Sequence, residues 1–146
     1  MSHFERIEVG TTTRTEGRTV TEADIVNFAG VSGDFNQLHT DAAYMADTAY
    51  GEPIAHGALV FSIMTGLQWR ERSSAERNAL VAFYGMDKLR FTAPTFPGDT
   101  LTVHSTVAEK TPSEHPDASG RVAYETEVRN QDDETVLYCE PILLFE

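Results

Sequence analysis

The sequence predicts an α+β fold in which an antiparallel sheet curls around one long buried helix. Residues 56 to 72, HGALVFSIMTGLQWRER, run apolar with little polar interruption, and a helix apolar on nearly every side is a buried helix. Four segments of the C-terminal half, 80–91, 99–110, 120–130 and 135–146, read as strands. Within them LTVHSTV and RVAYETEV alternate as half-buried strands do. TPSEHPDAS and NQDDE are polar connectors suited to antiparallel hairpins.

The elements follow in order. Residues 7 to 20 form a short extended segment with turn residues Gly10 and Gly17. Thr21 with Asp24 three residues later is a capping box, and Ile25, Phe28 and Ala29 recur at helical spacing before Gly30, the expected stop. Gly33 and Asn36 mark a turn. Thr40 is the expected cap of a second helix over 41–50, stopped by Gly51 and Pro53. Pro141 falls inside the last strand and predicts an edge or a bulge there. No repeat or long linker divides the 146 residues, so they read as a single domain, 1–146, around one core.

Composition narrows the function. Twenty-three acids against 11 bases give a net charge of −12, and Lys88 and Lys110 are the only lysines. A surface this acidic argues against nucleic-acid binding, which needs cations opposite phosphates. It fits solubility in high salt, as in a halophile, and equally an ordinary acidic protein. No apolar run is long enough to cross a bilayer, and MSHFERIEV lacks the order of a secretion signal. With Cys139 alone, an intrachain disulfide and a cysteine-rich zinc site are excluded. These features predict an intracellular, cytoplasmic protein.

Chemistry concentrates in GDFNQLHTD, residues 33 to 41, where Asp34 and His39 stand five apart in a turn-rich stretch. A nearby carboxylate helps hold the tautomer of an imidazole, and such a pair can grip one water. One group then removes a proton while the other supplies one. Taken alone, the spacing is common, and Asp or Asn in a turn more often bonds its own backbone. PIAHGALV adds weight, because His56 and Gly57 open the buried helix. First-turn N–H groups lack intrahelical partners and carry the positive end of the helix dipole, and glycine leaves such an amide open to a ligand oxygen. For His56, a cap or a packed core ring is the simpler role.

Together these residues resemble the MaoC-like, (R)-specific enoyl-CoA hydratase family. FAGVSGDFNQLHTDAAYMADTAYGEPIAHGALV matches that family's hydratase segment, with Ser32, Gly33 and Asp34 as its Ser-Gly-Asp. Farther on, Phe91, Pro94, Gly98 and Asp99 match its F-x-x-P-x-x-x-G-D segment. The resemblance implies a hot-dog fold, a homodimer or dimer of dimers, an acyl-CoA thioester as substrate and no cofactor. It implies Asp34 and His39 as the catalytic pair, the Gly57 N–H as the oxyanion donor, and Asn36 as the residue shaping their loop. Two positions depart from the family: Gln37 where proline is frequent, and Thr65 where a serine supports the site from the central helix. Neither removes a reacting group.

The resemblance implies hydration of a trans-2-enoyl-CoA to an (R)-3-hydroxyacyl-CoA, or the reverse dehydration, a step of fatty-acid metabolism among other routes. Tyr44, Met45, Leu59 and Ile63 are candidate acyl-chain contacts or plain core. Arg70, Arg72, Lys88 and Arg90 are candidate contacts for coenzyme A phosphates or simply solvated charges. Two rivals stand beside this reading. A hot-dog thioesterase would attack the thioester carbonyl, usually from a carboxylate on the central helix, where residues 58–70 offer no acid. A noncatalytic acyl-thioester-binding module would have little use for Asp34, His39 and Gly57 together.

Overall fold

The computed structural model describes residues 1–146. A one-turn helix α1 (His3–Arg6) opens the chain, followed by the short strands β1 (Thr12–Arg14) and β2 (Arg18–Thr19). Helices α2 (Glu22–Ser32), α3 (Gln37–Thr40), α4 (Ala42–Ala46), α5 (Gly57–Glu71) and α6 (Ser74–Ala79) come next. Strands β3 (Leu80–Phe91), β4 (Thr100–Pro112), β5 (Gly120–Arg129) and β6 (Thr135–Phe145) complete the fold. The sheet is antiparallel throughout, in the order β1-β4-β5-β6-β3, with β2 also on β4. No helix is long and apolar enough to cross a membrane.

Alternation in the strand sequences sets the core. Along β4, Leu101, Val103, Ser105 and Val107 point inward and are buried, while their neighbours are partly exposed. α5 lies across this inner face and buries Leu59, Val60, Ile63, Met64 and Leu67 against Leu101, Val103, Val128, Val136, Leu137 and Cys139. Each fully buried aliphatic side chain is worth roughly 1.5–3 kcal/mol relative to exposure, so this contact dominates the stability of the protomer. A second cluster, around Phe4, Val122, Leu143 and Phe145, seats α1 on the far end of the sheet.

Several sequence expectations are corrected. α2 does not stop at Gly30. It runs on to Ser32 and ends at Gly33, whose φ of 77° places it in the left-handed region and whose N–H bonds the Ala29 carbonyl. Gly33 takes the conformation that a C-terminal cap needs, whereas Gly30 only lacks a side chain. The cap of the next helix is Asp41 rather than Thr40, and that helix spans five residues instead of ten. The Asp41 carboxylate accepts from the Tyr44 N–H, while the Thr40 hydroxyl is spent on the carbonyls of Phe35 and Asn36. Pro141 is not on an edge, because β6 lies between β5 and β3. The bulge alternative fits better: β3 shifts register against β6 between Phe83 and Gly85 and again between Asp87 and Arg90, on either side of Met86, the partner of Pro141.

The helix expected to be buried all round is buried on one face only. Ala58, Ser62, Gly66 and Trp69 face outward from α5. One sheet can cover one side of a helix, so the apolar character of the other side needs a different cover. The expected capping box at Thr21 is present in full: its hydroxyl accepts from the Asp24 N–H at 3.1 Å, and Asp24 accepts from the Thr21 N–H at 2.9 Å.

Candidate active site

The left-handed turn at Gly33 ends α2 and swings the chain sideways at Asp34. There the loop is held by short-range bonds. The Ser32 hydroxyl donates to the Phe28 carbonyl and accepts from the Asp34 N–H. One Asp34 carboxylate oxygen accepts from the Asn36 backbone N–H at 3.2 Å and from its side-chain amide at 2.8 Å. The Asn36 side-chain oxygen in turn caps α3 through the Leu38 N–H at 2.9 Å. Asn36 thus shapes the loop, as expected. Its two donors hold the Asp34 carboxyl below its ordinary value, with the nearby imidazoles adding to the effect. Asp34 is therefore a carboxylate with one oxygen, Oδ2, left over.

α3 carries His39 to that oxygen. His39 Nδ1 lies 2.7 Å from the Ile54 carbonyl. A carbonyl only accepts, so Nδ1 carries the hydrogen and Nε2 of the neutral ring is a bare acceptor. Nε2 faces Asp34 Oδ2 across 4.0 Å. That span is too long for a direct hydrogen bond. It fits two legs of about 2.8 Å meeting at roughly 90° on one water oxygen. The His39 side chain is 9 % exposed and that of Asp34 47 %, so the pair opens to solvent on the carboxylate side.

The N-terminus of α5 forms the other wall. His56 is its N-cap residue but makes no capping bond, so the N–H groups of Gly57 and Ala58 have no acceptor within the helix. Gly57 is a close approach as well as a helix start: a Cβ there would fall 2.7–2.9 Å from the Phe91 ring. His39, Gly57, Phe91, Ile54, Tyr50 and Val136 are among the residues lining a cavity of about 460 Å³.

His56 joins the two halves. Its Nε2 lies 2.9 Å from the Asp34 carbonyl, and its ring stacks on His39 with centroids 3.7 Å apart and planes at 27°. Asp34, His39 and His56 each offer a ligand atom within 4.8 Å of the others. Stacking does not suit a shared metal ion, because in-plane lone pairs of two stacked rings run side by side instead of converging on one point. The cluster is better suited to handling protons.

Sequence reasoning thus brought together Asp34, Asn36, His39, His56 and Gly57. It did not find the Ile54 carbonyl, which carries no side-chain signal. Phe91 is legible in the sequence only as part of a motif, with nothing there to show that its ring lies on Gly57. Thr65 is elsewhere. Its hydroxyl donates to the Ser62 carbonyl, and eight residues of helix put it about 12 Å along α5 from Gly57. It lines a separate cavity of about 180 Å³ with Trp69, Phe83 and Tyr124. Of the suggested acyl contacts, Met45, Leu59 and Ile63 are buried core and Tyr44 is exposed; none lines the cavity at His39. Arg70 and Lys88 pair with Glu16 and Glu140, and Arg72 lies over the Phe145 ring. The Arg90 guanidinium donates to the Leu89 carbonyl.

Comparison with known proteins identifies the family. The family model described as "MaoC like domain" matches residues 5–130. Protein MaoC of Klebsiella aerogenes is 42 % identical over 109 residues, 75 % of this chain; the chain spans 31 % of the length of that protein. The (R)-specific enoyl-CoA hydratase of Aeromonas caviae is 36 % identical over 98 residues, covering 67 % of this chain and 69 % of that one. Among solved structures, a monoamine oxidase regulatory protein from Archaeoglobus superposes with a TM-score of 0.89 at 39 % identity, over 97 % of this chain and 92 % of the other. The (R)-hydratase of A. caviae superposes at 0.78 with 27 % identity, over 97 % and 99 %. With its curved antiparallel sheet around α5 and its acid–imidazole pair at the mouth of that helix, the chain belongs to the MaoC-like dehydratase family of hot-dog proteins.

Proposed function

We propose that this protein adds water to trans-2-enoyl thioesters, coenzyme A esters foremost, giving (R)-3-hydroxyacyl products, and that it catalyses the reverse dehydration. The supporting observation is the 4.0 Å gap between His39 Nε2 and Asp34 Oδ2 beside the uncapped N-terminus of α5. A water donating to both acceptors turns its lone pair outward, toward C3 of a substrate seated in the cavity. Attack breaks one O–H bond and joins the oxygen to C3. The released proton passes to the pair, and the displaced electrons move to the thioester oxygen. Gly57 N–H and the helix dipole stabilise that enolate. Return of a proton from the pair to C2 completes a syn addition. The thioester makes the alkene electrophilic, so the reading calls for no metal or redox cofactor.

The same reading includes a homodimer. β3 is an edge strand, bonded only to β6, and Phe83, Tyr84, Leu89 and Phe91 along it are exposed. A long apolar edge is a template for another strand. Two β3 strands paired about a two-fold axis would continue the sheet, and the outward face of α5 would gain its missing cover. A dimer of dimers is the larger form consistent with this.

The assay is loss of enoyl absorbance with crotonyl-CoA, run beside release of free thiol. Hydration without thiol release is expected. Thiol release without hydration would assign the protein to the thioesterases instead.

A further inference from the structure

His56 is buried at the centre of the site, yet the chemistry above does not use it. Its placement is unlike that of a helix cap. Caps of long helices are commonly Ser, Thr, Asp or Asn, whose side chains accept from the first turn. His56 accepts from none of these N–H groups. Its Nε2 is turned back 22 residues to the Asp34 carbonyl, 2.9 Å away, which only accepts, so the hydrogen is on Nε2. Nδ1 is left as a bare, buried nitrogen with no partner. A buried polar atom without a partner is costly to a fold, and a simpler residue would remove that cost. Something other than stability is served.

The ring has two other contacts. One is the stack on His39 at 3.7 Å. The other is an edge-on packing with Phe28, 4.9 Å between centroids and planes at 62°. Phe28 sits on α2, whose C-terminus leads into Asp34. His56 therefore touches the carriers of both members of the pair, and it does so from the residue that precedes Gly57. Asp34 comes from the turn after α2, His39 from α3 and the amides from α5. No other side chain bonds or stacks on both halves of the pair.

We infer that His56 is a positioning residue: through its Nε2–H and its ring it fixes the Asp34–His39 spacing relative to the first turn of α5. This inference rests on the hydratase reading for its kinetic test and on the structure alone for its spectroscopic one.

Two substitutions separate the two contacts. His56→Gln keeps an amide donor at a reach similar to Nε2 and loses the ring. His56→Phe keeps a ring on His39 and loses the donor. With crotonyl-CoA, each is expected to lower kcat roughly tenfold with KM within about twofold, because misplacement of reacting groups costs rate before binding. His56→Ala, which loses both contacts, is expected to lose about 100-fold. Should His56→Ala fail to fold, the Gln and Phe variants carry the test. The second readout is the ¹⁵N spectrum of the His39 ring. The wild type is expected to show one tautomer, with the hydrogen on Nδ1, and His56→Gln a mixture, because without the stacked ring His39 is no longer held on the Ile54 carbonyl. A purely structural role predicts something else: a lower melting temperature, with kcat per folded molecule and the His39 tautomer unchanged in all variants. That result overturns the inference. Failure of the hydratase reading is distinguishable, since a wild type inert toward enoyl-CoA leaves the ¹⁵N comparison still decisive for positioning.

Discussion

His39 Nε2 faces Asp34 Oδ2 across 4.0 Å, while the other nitrogen of the ring is committed to the Ile54 carbonyl at 2.7 Å. The second contact gives the first its meaning, because a hydrogen fixed on Nδ1 leaves two acceptors confronting one another. Two acceptors at that distance are reconciled by a molecule with two donors, and water is the smallest. The architecture supports this arrangement with a rigid helix mouth on one side and a bonded turn on the other.

Asp34 provides a pH test. Its carboxyl is held below the ordinary 3.8 by the Asn36 backbone N–H first and the Asn36 amide second. Because the folded-state value is depressed, the stability linked to this ionisation is complete above pH 3.8 and is lost as pH falls through the lower value. Asn36→Ala removes the amide and not the backbone N–H, so the titration should move partway back toward 3.8. A carboxyl ¹³C titration of Asp34 reads it directly. An ordinary value in the wild type would contradict the bonding described.

Gly57→Ala should separate stability from chemistry. Alanine in place of glycine favours folding by roughly 0.4–1 kcal/mol where the backbone conformation suits it. The new methyl, however, would press on the Phe91 ring at 2.7–2.9 Å. The atoms it meets are the far end of the ring, which is 53 % exposed in the single chain and must shift to admit the methyl. The expected outcome is a melting temperature close to that of the wild type with kcat/KM reduced about 10²–10³-fold, the range for loss of an oxyanion contact. Unimpaired hydration would remove Gly57 from the site.

Gln37 offers a stabilising change. It is the first residue of α3, and Asn36 before it has φ −62° and ψ 158°, a conformation open to a residue preceding proline. The first helical position tolerates proline because its N–H has no helical partner. Gln37→Pro should raise stability by about 0.4–1 kcal/mol in denaturant unfolding and leave turnover intact. Destabilisation would show that the turn differs from the one described.

The edge strand has its own test. Tyr84→Lys with Leu89→Lys places charge along β3 where both side chains are exposed in the protomer. Light scattering should show the wild type at twice the 16.2 kDa of the chain and the double variant at the protomer mass. A wild type that is monomeric at micromolar concentration would dismiss the β3 pairing.

Much of this molecule was legible in advance. Alternation in LTVHSTV located β4 and its inner face, because strands of a one-sided sheet must alternate. The apolar run over residues 56 to 72 located α5, Gly57–Glu71. What failed did so for physical reasons. Pro141 predicts an edge or a bulge; β6 is interior, and the irregularities lie on β3 on either side of the residue facing Pro141, a placement that local sequence does not record. Gly30 and Gly33 look equivalent as helix stops until φ distinguishes them. The pair Asp34 and His39 was visible as a spacing, but its geometry depends on the Ile54 carbonyl and on His56, which are 15 and 22 residues from their partners. Contacts through a backbone carbonyl leave no mark on residue type. Thr65 was placed beside the site by analogy of position, and helix rise alone carries it too far away.

The most direct test of the central claim is steady-state hydration of crotonyl-CoA by the wild type, Asp34→Asn and His39→Ala, each shown to be folded by circular dichroism. The account predicts measurable turnover by the wild type and a fall in kcat of at least about 10²–10⁴-fold in each variant, the range for loss of a positioned acid or base. Turnover near that of the wild type in either variant would contradict it.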